Sequence, residues 1–516
     1  MISATRTNVS SKEELLLKIL TPISKFSLHR KKQKKPKLFL PARKLLEIAE
    51  IDVSNLNEQV LDKLDYEVSQ ICRAGSRFSK NCICVQFAED ANELMHWAIK
   101  HGALFCITRE PIENVPCIVT ECPEAVYMKM CRYFREQANI EVTAVAGSIG
   151  KTTTKKMVDC VYKTQYNTFC DPENENQIDC VGYICQHIPP KTVKHVQEVS
   201  EDTPGCVKLI SQMISPKIAI ITAIDKSHLE NFGDEQKIYD EIFSIQAGME
   251  KDSTLIINID DEKGNIEDIK CRKVTISMKK KEADYYADRI EVGKAGLTFD
   301  VVEKCSQKRF RVKLNNVYAI HNIYPALSAF AAGVCSGIEY DDILKGLENY
   351  RTVGIRQNIY TSGKTVIYAD CYNAVASSVK SAVNTADEMP VEGERIVVLG
   401  DIEEGGSQSK EIHSDLIRIV DESKFDVFIA YGDKLLKALE DTKCRDSLKI
   451  IRCRDRQELN NAVKKQKKGA GLILFKASRK SALEKSINYV FPVAYKKQML
   501  KYYIPIIKWR MKVIVN

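Results

Sequence analysis

Residues 140–157 read IEVTAVAGSIGKTTTKKM, an apolar run that passes straight into a short glycine loop and then into a helical pattern. Strand, loop, helix is the context in which a glycine turn binds phosphate, because backbone N–H groups and the positive end of the helix dipole converge on an anion there. The commonest loop of this kind has four residues between its first glycine and the Gly-Lys-Ser/Thr, which would put a glycine at position 145. Val145 stands there instead, and Gly147 and Gly150 bracket only Ser148 and Ile149. The stretch predicts a shortened nucleotide loop in which Gly147, Ser148, Gly150, Lys151, Thr152 and Thr153 surround the phosphates. Lys151 supplies a point charge for the terminal phosphates, and the Thr152 hydroxyl is placed to ligate Mg²⁺. Magnesium needs a further oxygen, usually a carboxylate at the end of a neighbouring strand. Glu198, which ends the run HVQE, fits that place, and His228 and Glu230 follow another apolar run, IAIITAI.

The 516 residues exceed what one hydrophobic core fills, and about 150 residues per domain predicts about three domains. With 44% apolar and 28% charged residues the composition is that of a soluble globular protein. No apolar run approaches the length of a membrane span, and none follows the basic N-terminus as a secretory signal would, so the expected location is cytoplasmic. Eighteen cysteines include no C-x-x-C pair; Cys82 and Cys84 come nearest, in an apolar run, and buried reduced thiols account for the set. Much of the net charge of +8 lies in HRKKQKKPK, His29 to Lys37, which reads as a solvated arm rather than a nucleic-acid site.

Outward from the loop, residues 1–43 form a basic extension and 44–139 alternate short apolar runs with helical patterns, as in a small α/β domain. Residues 140–354 add HVQEVSE, IAIITAI and STLIINID as strands of a central, mainly parallel sheet, with HNIYPALSAFAAGVCSG as a late helix. Residues 355–486 carry five apolar strands separated by helical patterns, a Rossmann-like unit. The tail 487–516 alternates bulky apolar and basic residues, and reads either as an added helix on the protein or as a surface-binding segment.

Taken in order, these segments resemble the Mur ligases, and within them the branch that adds D-alanyl-D-alanine to a UDP-N-acetylmuramoyl tripeptide. The matching stretches are Gly147 to Lys155, Glu198 with Pro204-Gly205, and His228 to Gly233. They continue with His321-Asn322, Arg356, and Asp370 with Tyr372, Asn373 and Ala374; Gly400-Asp401 with His413, and Lys476, Ser478 and Arg479, complete the series. The resemblance implies three α/β domains with the phosphate loop in the middle one, and an ATP- and Mg²⁺-dependent amide ligase of peptidoglycan synthesis that works through an acyl phosphate. It implies Lys151, Glu198 and His228 as catalytic residues and Thr152, Glu198 and His228 as metal ligands. Asn322, Arg356 and Asp370 would orient the nucleotide. It further implies small-molecule substrates, no nucleic-acid partner and a monomer, with the basic termini left for surface contact.

The departures are specific. Where the family carries a lysine that becomes a carbamylated metal ligand, this chain has Ile242 or Phe243, with Asp240 and Glu241 as the carboxylates at hand. The family's second Asn after His-Asn is Pro325, the paired Asp before Tyr-Asn-Ala is Ala369-Asp370, and where the family has an Asp-Gly-His segment near its UDP pocket this chain reads EDANE, Glu89 to Glu93. A different carboxylate and amine pair, or a fold that keeps ATP binding without ligation, are the alternatives. The short loop and the third unit argue against a kinase or GTPase.

Overall fold

The computed structural model describes residues 40–515 except 76, 89–90, 172–174, 225–231, 233, 262–268, 294, 353, 373 and 404–408. The basic stretch His29–Lys37 lies outside the described residues.

Three parallel or mainly parallel sheets follow one another along the chain, with a two-stranded pairing of Leu40–Pro41 and Glu67–Val68 beside the first. The first sheet has four parallel strands in chain order, Ile71–Arg73, Ile83–Val85, Phe105–Thr108 and Cys117–Val119. Alternation sorts their side chains between two faces. Ile71, Ile83, Phe105 and Ile118 pack with Val126, Tyr127, Met130 and Phe134 of the helix Pro123–Gln137, while Cys72, Cys84 and Cys106 pack with Met95 and Ala98 of the helix Asn92–Lys100.

The second sheet has nine strands, with Glu141–Ala146 between Lys194–Glu198 on one side and Ile218–Ile221 on the other. All three are parallel, and all but the first residue of Glu141–Ala146 are buried, which is why that strand reads as a continuous apolar run rather than an alternating one. The chain leaves Glu141–Ala146 toward Thr168–Cys170 and Lys194–Glu198, then crosses back to Ile218–Ile221, so the glycine loop sits where the winding reverses. Ligands of open α/β sheets bind at such a point, beyond the carboxyl ends of the strands. On the far edge, Tyr285–Gly293, Gly296–Glu303 and Arg309–Asn315 extend the sheet as an antiparallel meander. None of the strands expected from the sequence lies there, although GLTFDVVE and RFRVKLN are rich in β-branched and aromatic residues.

The third sheet runs Asn358–Ser362, Thr365–Asp370, Ala470–Lys476, Glu394–Gly400, Val427–Tyr431, Lys449–Cys453, parallel apart from the first pair. Five of its strands are the five apolar runs expected. The tail forms the helix Pro492–Val515. Its first turns lie on the protein: Tyr495 packs against the core of the third sheet and Met499 is buried. No described helix is long and apolar enough to cross a membrane.

Candidate active site

Gly147 follows the buried strand directly, at φ +127°, and a Cβ there would lie 2.2 Å from the Thr222 hydroxyl oxygen, so only glycine fits. Gly150 then caps the helix Lys151–Tyr162. The loop amides divide their work in a way the sequence did not reveal. Ser148 and Ile149 donate their N–H groups to the carbonyl of Ala223, at 2.9 and 3.1 Å, and so brace the loop against the next strand. The amides of Lys151, Thr152 and Thr153 stand in the first helical turn, where no carbonyl of the same helix precedes them, and these are the donors placed for a phosphate.

Glu198 is the register partner of Val145, which brings its carboxylate to the loop. The Thr152 hydroxyl donates to it at 3.0 Å, and the Asn176 side-chain amide donates to its other oxygen at 3.1 Å. Hard oxygen donors so paired suit Mg²⁺. Behind them lies a fully buried ion cluster: Lys155 Nζ is 2.8 Å from Asp171 and 3.5 Å from Glu198. Burial works against the Lys155 charge, but the two carboxylates outweigh it and hold the ammonium above its usual range. Asp171 is pushed up to about 6 by its burial, against the pull of Lys155. A buried pair broken on one side leaves an uncompensated charge, so this cluster fixes the Glu198 carboxylate from behind.

Lys151 points to Glu201. Its ammonium bonds both carboxylate oxygens, at 2.8 and 2.7 Å, and also the carbonyl of Gly147. Glu201 went unread in the sequence; its only signal is its place three residues past Glu198 in the same loop. The Thr153 hydroxyl meets that of Tyr350, a buried residue whose phenol burial pushes upward.

A second group forms at the junction with the third sheet. Asp370 and Lys476 end neighbouring parallel strands as register partners and make an ion pair at 2.9 Å, with Asp370 also accepting the Gln357 amide. The Gln357 side chain contacts the Nε2 of His321, whose Nδ1 lies 3.0 Å from the Ser381 hydroxyl, so one imidazole joins the turn Ile320–Asn322 to the residue before the strand Asn358–Ser362 and to the helix Ala376–Glu388. Burial lowers the His321 pKa, which favours the neutral ring. Arg356 stacks its guanidinium 3.6 Å from the centre of the Tyr372 ring. Burial draws the neighbouring Lys156 down to about 8, with repulsion from Lys155 and, less, Arg356 adding to it.

The Asn322 side chain is buried and donates to the carbonyl of Ala319, closing its own turn. Of the carboxylates at hand for the missing lysine, Glu241 is committed elsewhere: its oxygens accept the amides of Gly205 and Val207, capping the helix Cys206–Ile214. Asp240 is exposed and lines an open cleft of about 480 Å³ with Pro204, Phe232 and Lys237. Ile242 is core and Phe243 packs against it. His228, Glu230, Glu89 and Asn373 lie outside the described residues. In the third sheet Asp401 caps the helix Asp433–Asp441 through the amides of Lys434 and Leu435, Ser478 accepts the amide of Glu403, and His413 is buried and accepts the amide of Ile402.

Comparison with known proteins covers both groups. Residues 145–333 match the Mur ligase middle domain and residues 356–479 the Mur ligase glutamate ligase domain, together more than half of the chain. A Bacillus subtilis UDP-N-acetylmuramoyl-tripeptide--D-alanyl-D-alanine ligase is 28% identical over 381 residues, which are 73% of this chain and 82% of that protein. Among solved structures, MurF from Acinetobacter baumannii superposes with a TM-score of 0.70 at 22% identity, covering 88% of this chain and 99% of that one. MurF from Thermotoga maritima, solved with ADP, gives 0.69 at 17% identity, covering 86% of this chain and all of that one.

Proposed function

The chain belongs to the Mur ligases, and on that premise we propose that it joins a carboxylate to an amine with ATP, the carboxylate being that of a UDP-N-acetylmuramoyl tripeptide and the amine that of D-alanyl-D-alanine. The γ-phosphoryl group passes to the carboxylate and ADP leaves. The amine then attacks the acyl carbon, loses a proton, and inorganic phosphate departs.

The observation that carries this reading is the Thr152 hydroxyl held 3.0 Å from the Glu198 carboxylate at the mouth of the loop. Thr152 and Glu198 would hold Mg²⁺, which when bound neutralises charge on the transferring phosphate. The first-turn amides of Lys151 to Thr153 receive phosphate oxygens, and the Lys151 ammonium turns from Glu201 to the γ-phosphate. Phosphoryl transfer depends on such placed positive charge more than on a protein nucleophile. Arg356 and Asp370, from the third sheet, orient the nucleotide, and Asn322 shapes the turn beside it. His228 is proposed from sequence alone as a ligand of a second Mg²⁺, with Asp240 supplying the carboxylate that the family draws from its modified lysine.

The proposal takes residues 44–139, 140–354 and 355–486 as substrate, ATP and amine domains of a monomer that works in the cytoplasm on small molecules. The basic extension 1–43 and tail 487–516 are additions to it. A competing reading, an ATP-binding scaffold without ligation, draws on Ile242 in the core and on Glu201 against Lys151.

Incubating the protein with ATP, Mg²⁺, the UDP-tripeptide and D-alanyl-D-alanine and measuring products by mass separates the two. The UDP-pentapeptide should appear, disappear on chelation of Mg²⁺, and fall by at least about 100-fold in Glu198→Gln. Phosphate release only with other acceptors would redirect the substrate assignment. ATP binding without phosphate release from any acceptor would leave the scaffold.

A further inference from the structure

Between the first sheet and the helix Asn92–Lys100 lies a sulfur cluster that the ligase reaction does not use. Cys72, Cys84, Cys106 and Cys117 are successive register partners across four parallel strands, so their side chains form a row on one face. Cys82 precedes Cys84 by two residues and joins the same face. The sulfur atoms of Cys72, Cys82 and Cys84 all lie within 4.8 Å of one another, and those of Cys82 and Cys84 are 3.6 Å apart. All three side chains are buried, as is Cys106, among Ala74, Ala91, Met95, Ala98 and Val115.

A buried cysteine alone is an ordinary small apolar residue. Three converging on one point are a different matter, because sulfur atoms bound about 2.3 Å from one tetrahedral ion stand about 3.8 Å apart. The observed spacing spans that value. We propose that Cys72, Cys82 and Cys84 bind a zinc ion and so cross-link neighbouring strands of the first sheet.

The donor set is all sulfur, which rejects Mg²⁺ and Ca²⁺ and selects Zn²⁺ or Cu⁺. Charge decides between those two. The surrounding side chains are apolar, and buried net charge is costly there; for any number of thiolates, Zn²⁺ leaves one negative charge fewer than Cu⁺. Each ligating S–H gives its proton to solvent as the S–Zn bond forms, and nothing is oxidised or reduced. Ala74, Ala91, Met95, Ala98 and Val115 enclose the three sulfurs and shut out substrate, so the ion is structural. It suits a sheet whose strands are three or four residues long and gain little from their own pairing.

The test uses the full chain, purified under reducing conditions. We expect one zinc per chain by elemental analysis. Substitution with Co²⁺ should give a sulfur-to-cobalt charge-transfer band with tetrahedral d–d bands, bleached by one equivalent of Zn²⁺. Cys82→Ser and Cys84→Ser should lose the bands, whereas Cys122→Ser, at an exposed site away from the cluster, should keep them. Circular dichroism verifies the fold of each variant, and the cobalt titration of the unaltered protein stands even where a variant fails to fold. No thiolate–cobalt band in the reduced unaltered protein, or an undiminished band in a folded Cys82→Ser, would overturn the proposal. Neither result touches the ligase reading, which is measured by product mass.

Discussion

The Lys151 ammonium lies 2.8 and 2.7 Å from the two carboxylate oxygens of Glu201, whose side chain is only 1% exposed. A phosphate-loop lysine acts by giving its charge to the terminal phosphates. Here that charge is already met by a buried anion beside the nucleotide position, which both occupies the lysine and repels phosphate. Glu201→Gln keeps the shape and removes the charge. We expect ATP to bind about 5- to 20-fold tighter to this variant, the equivalent of roughly 1–2 kcal/mol. Titration calorimetry measures it, with Lys151→Ala as the variant that weakens binding and abolishes turnover. Weaker ATP binding in Glu201→Gln would instead assign Glu201 to the metal or phosphate ligands.

Glu241 caps the helix Cys206–Ile214 by accepting the amides of Gly205 and Val207 at 2.7 and 2.8 Å. A carboxylate at a helix N-terminus gains from the dipole as well as from the hydrogen bonds. Glu241→Ala should lower unfolding stability by about 1–3 kcal/mol, because it strands two partly buried donors. ATP affinity should stay unchanged, since the cap lies in the helix after the Glu198 loop rather than in the phosphate loop. Urea titration with the m-value held constant reads the first, and calorimetry the second; an unaltered midpoint would show water replacing the carboxylate without loss.

These two glutamates mark what the sequence could and could not reveal. The strand-loop-helix at 140–157 was legible because burial on both faces of Glu141–Ala146 leaves an unbroken apolar run, and Gly147 is demanded by its own backbone. Glu198 was legible as a strand end. Glu201 was not, because its partner is 50 residues away and is chosen by the pairing of Lys194–Glu198 with Glu141–Ala146, which local spacing does not encode. The same holds for the cysteine row, set by strand register, and for Lys155 with Asp171, set by the packing of the helix Lys151–Tyr162 on the strand Thr168–Cys170. Asp240 and Glu241 looked equivalent as neighbours, but a helix turns adjacent residues about 100° apart, leaving Asp240 exposed while Glu241, also at the cleft wall, is buried against a helix end.

His195 is fully buried beside Phe169, and burial, helped by the Lys155 ammonium, draws its imidazole down to about 3 against a weaker pull from Gln197. In the unfolded chain the ring titrates near 6.5. Between those values the unfolded state binds a proton that the folded state refuses, so stability falls as pH falls below about 6.5 and the loss is complete near 3. At pH 5 the loss from this residue is about 2 kcal/mol. His195→Phe removes the titrating group, and the difference in stability between variant and unaltered protein should shift in the variant's favour by that amount between pH 7.5 and pH 5. Denaturant titrations at the two pH values measure it, and the subtraction cancels carboxylates common to both chains. A difference that does not change with pH would mean that the His195 ring takes up its proton in the folded state as it does in the unfolded chain.

We expect closure of the third sheet over the nucleotide to turn on Gly354. The loop and Glu198 belong to the second sheet, Asp370 and Lys476 to the third, and a ligase that makes an acyl phosphate must exclude water until the amine arrives. Gly354 lies in the connection Tyr350 to Asn358, at φ +78°, and its carbonyl accepts the Asn358 side chain at 2.8 Å. A Cβ at Gly354 would sit 3.3 Å from the Tyr502 ring of the C-terminal helix, and that ring lies 5.9 Å from the Lys156 ammonium of the phosphate-loop helix. The tail therefore rests on the pivot and on the ATP unit together, where it resists rotation. Small-angle scattering should show a smaller radius of gyration with a nonhydrolysable ATP analogue and the carboxylate substrate than without them. Tyr502→Ala should enlarge the difference by freeing the open form, and Gly354→Val should shrink it, since a β-branched residue at positive φ stiffens and strains the pivot. Equal radii with and without ligands in all three proteins would leave the third sheet as a fixed wall and the pivot as an ordinary turn.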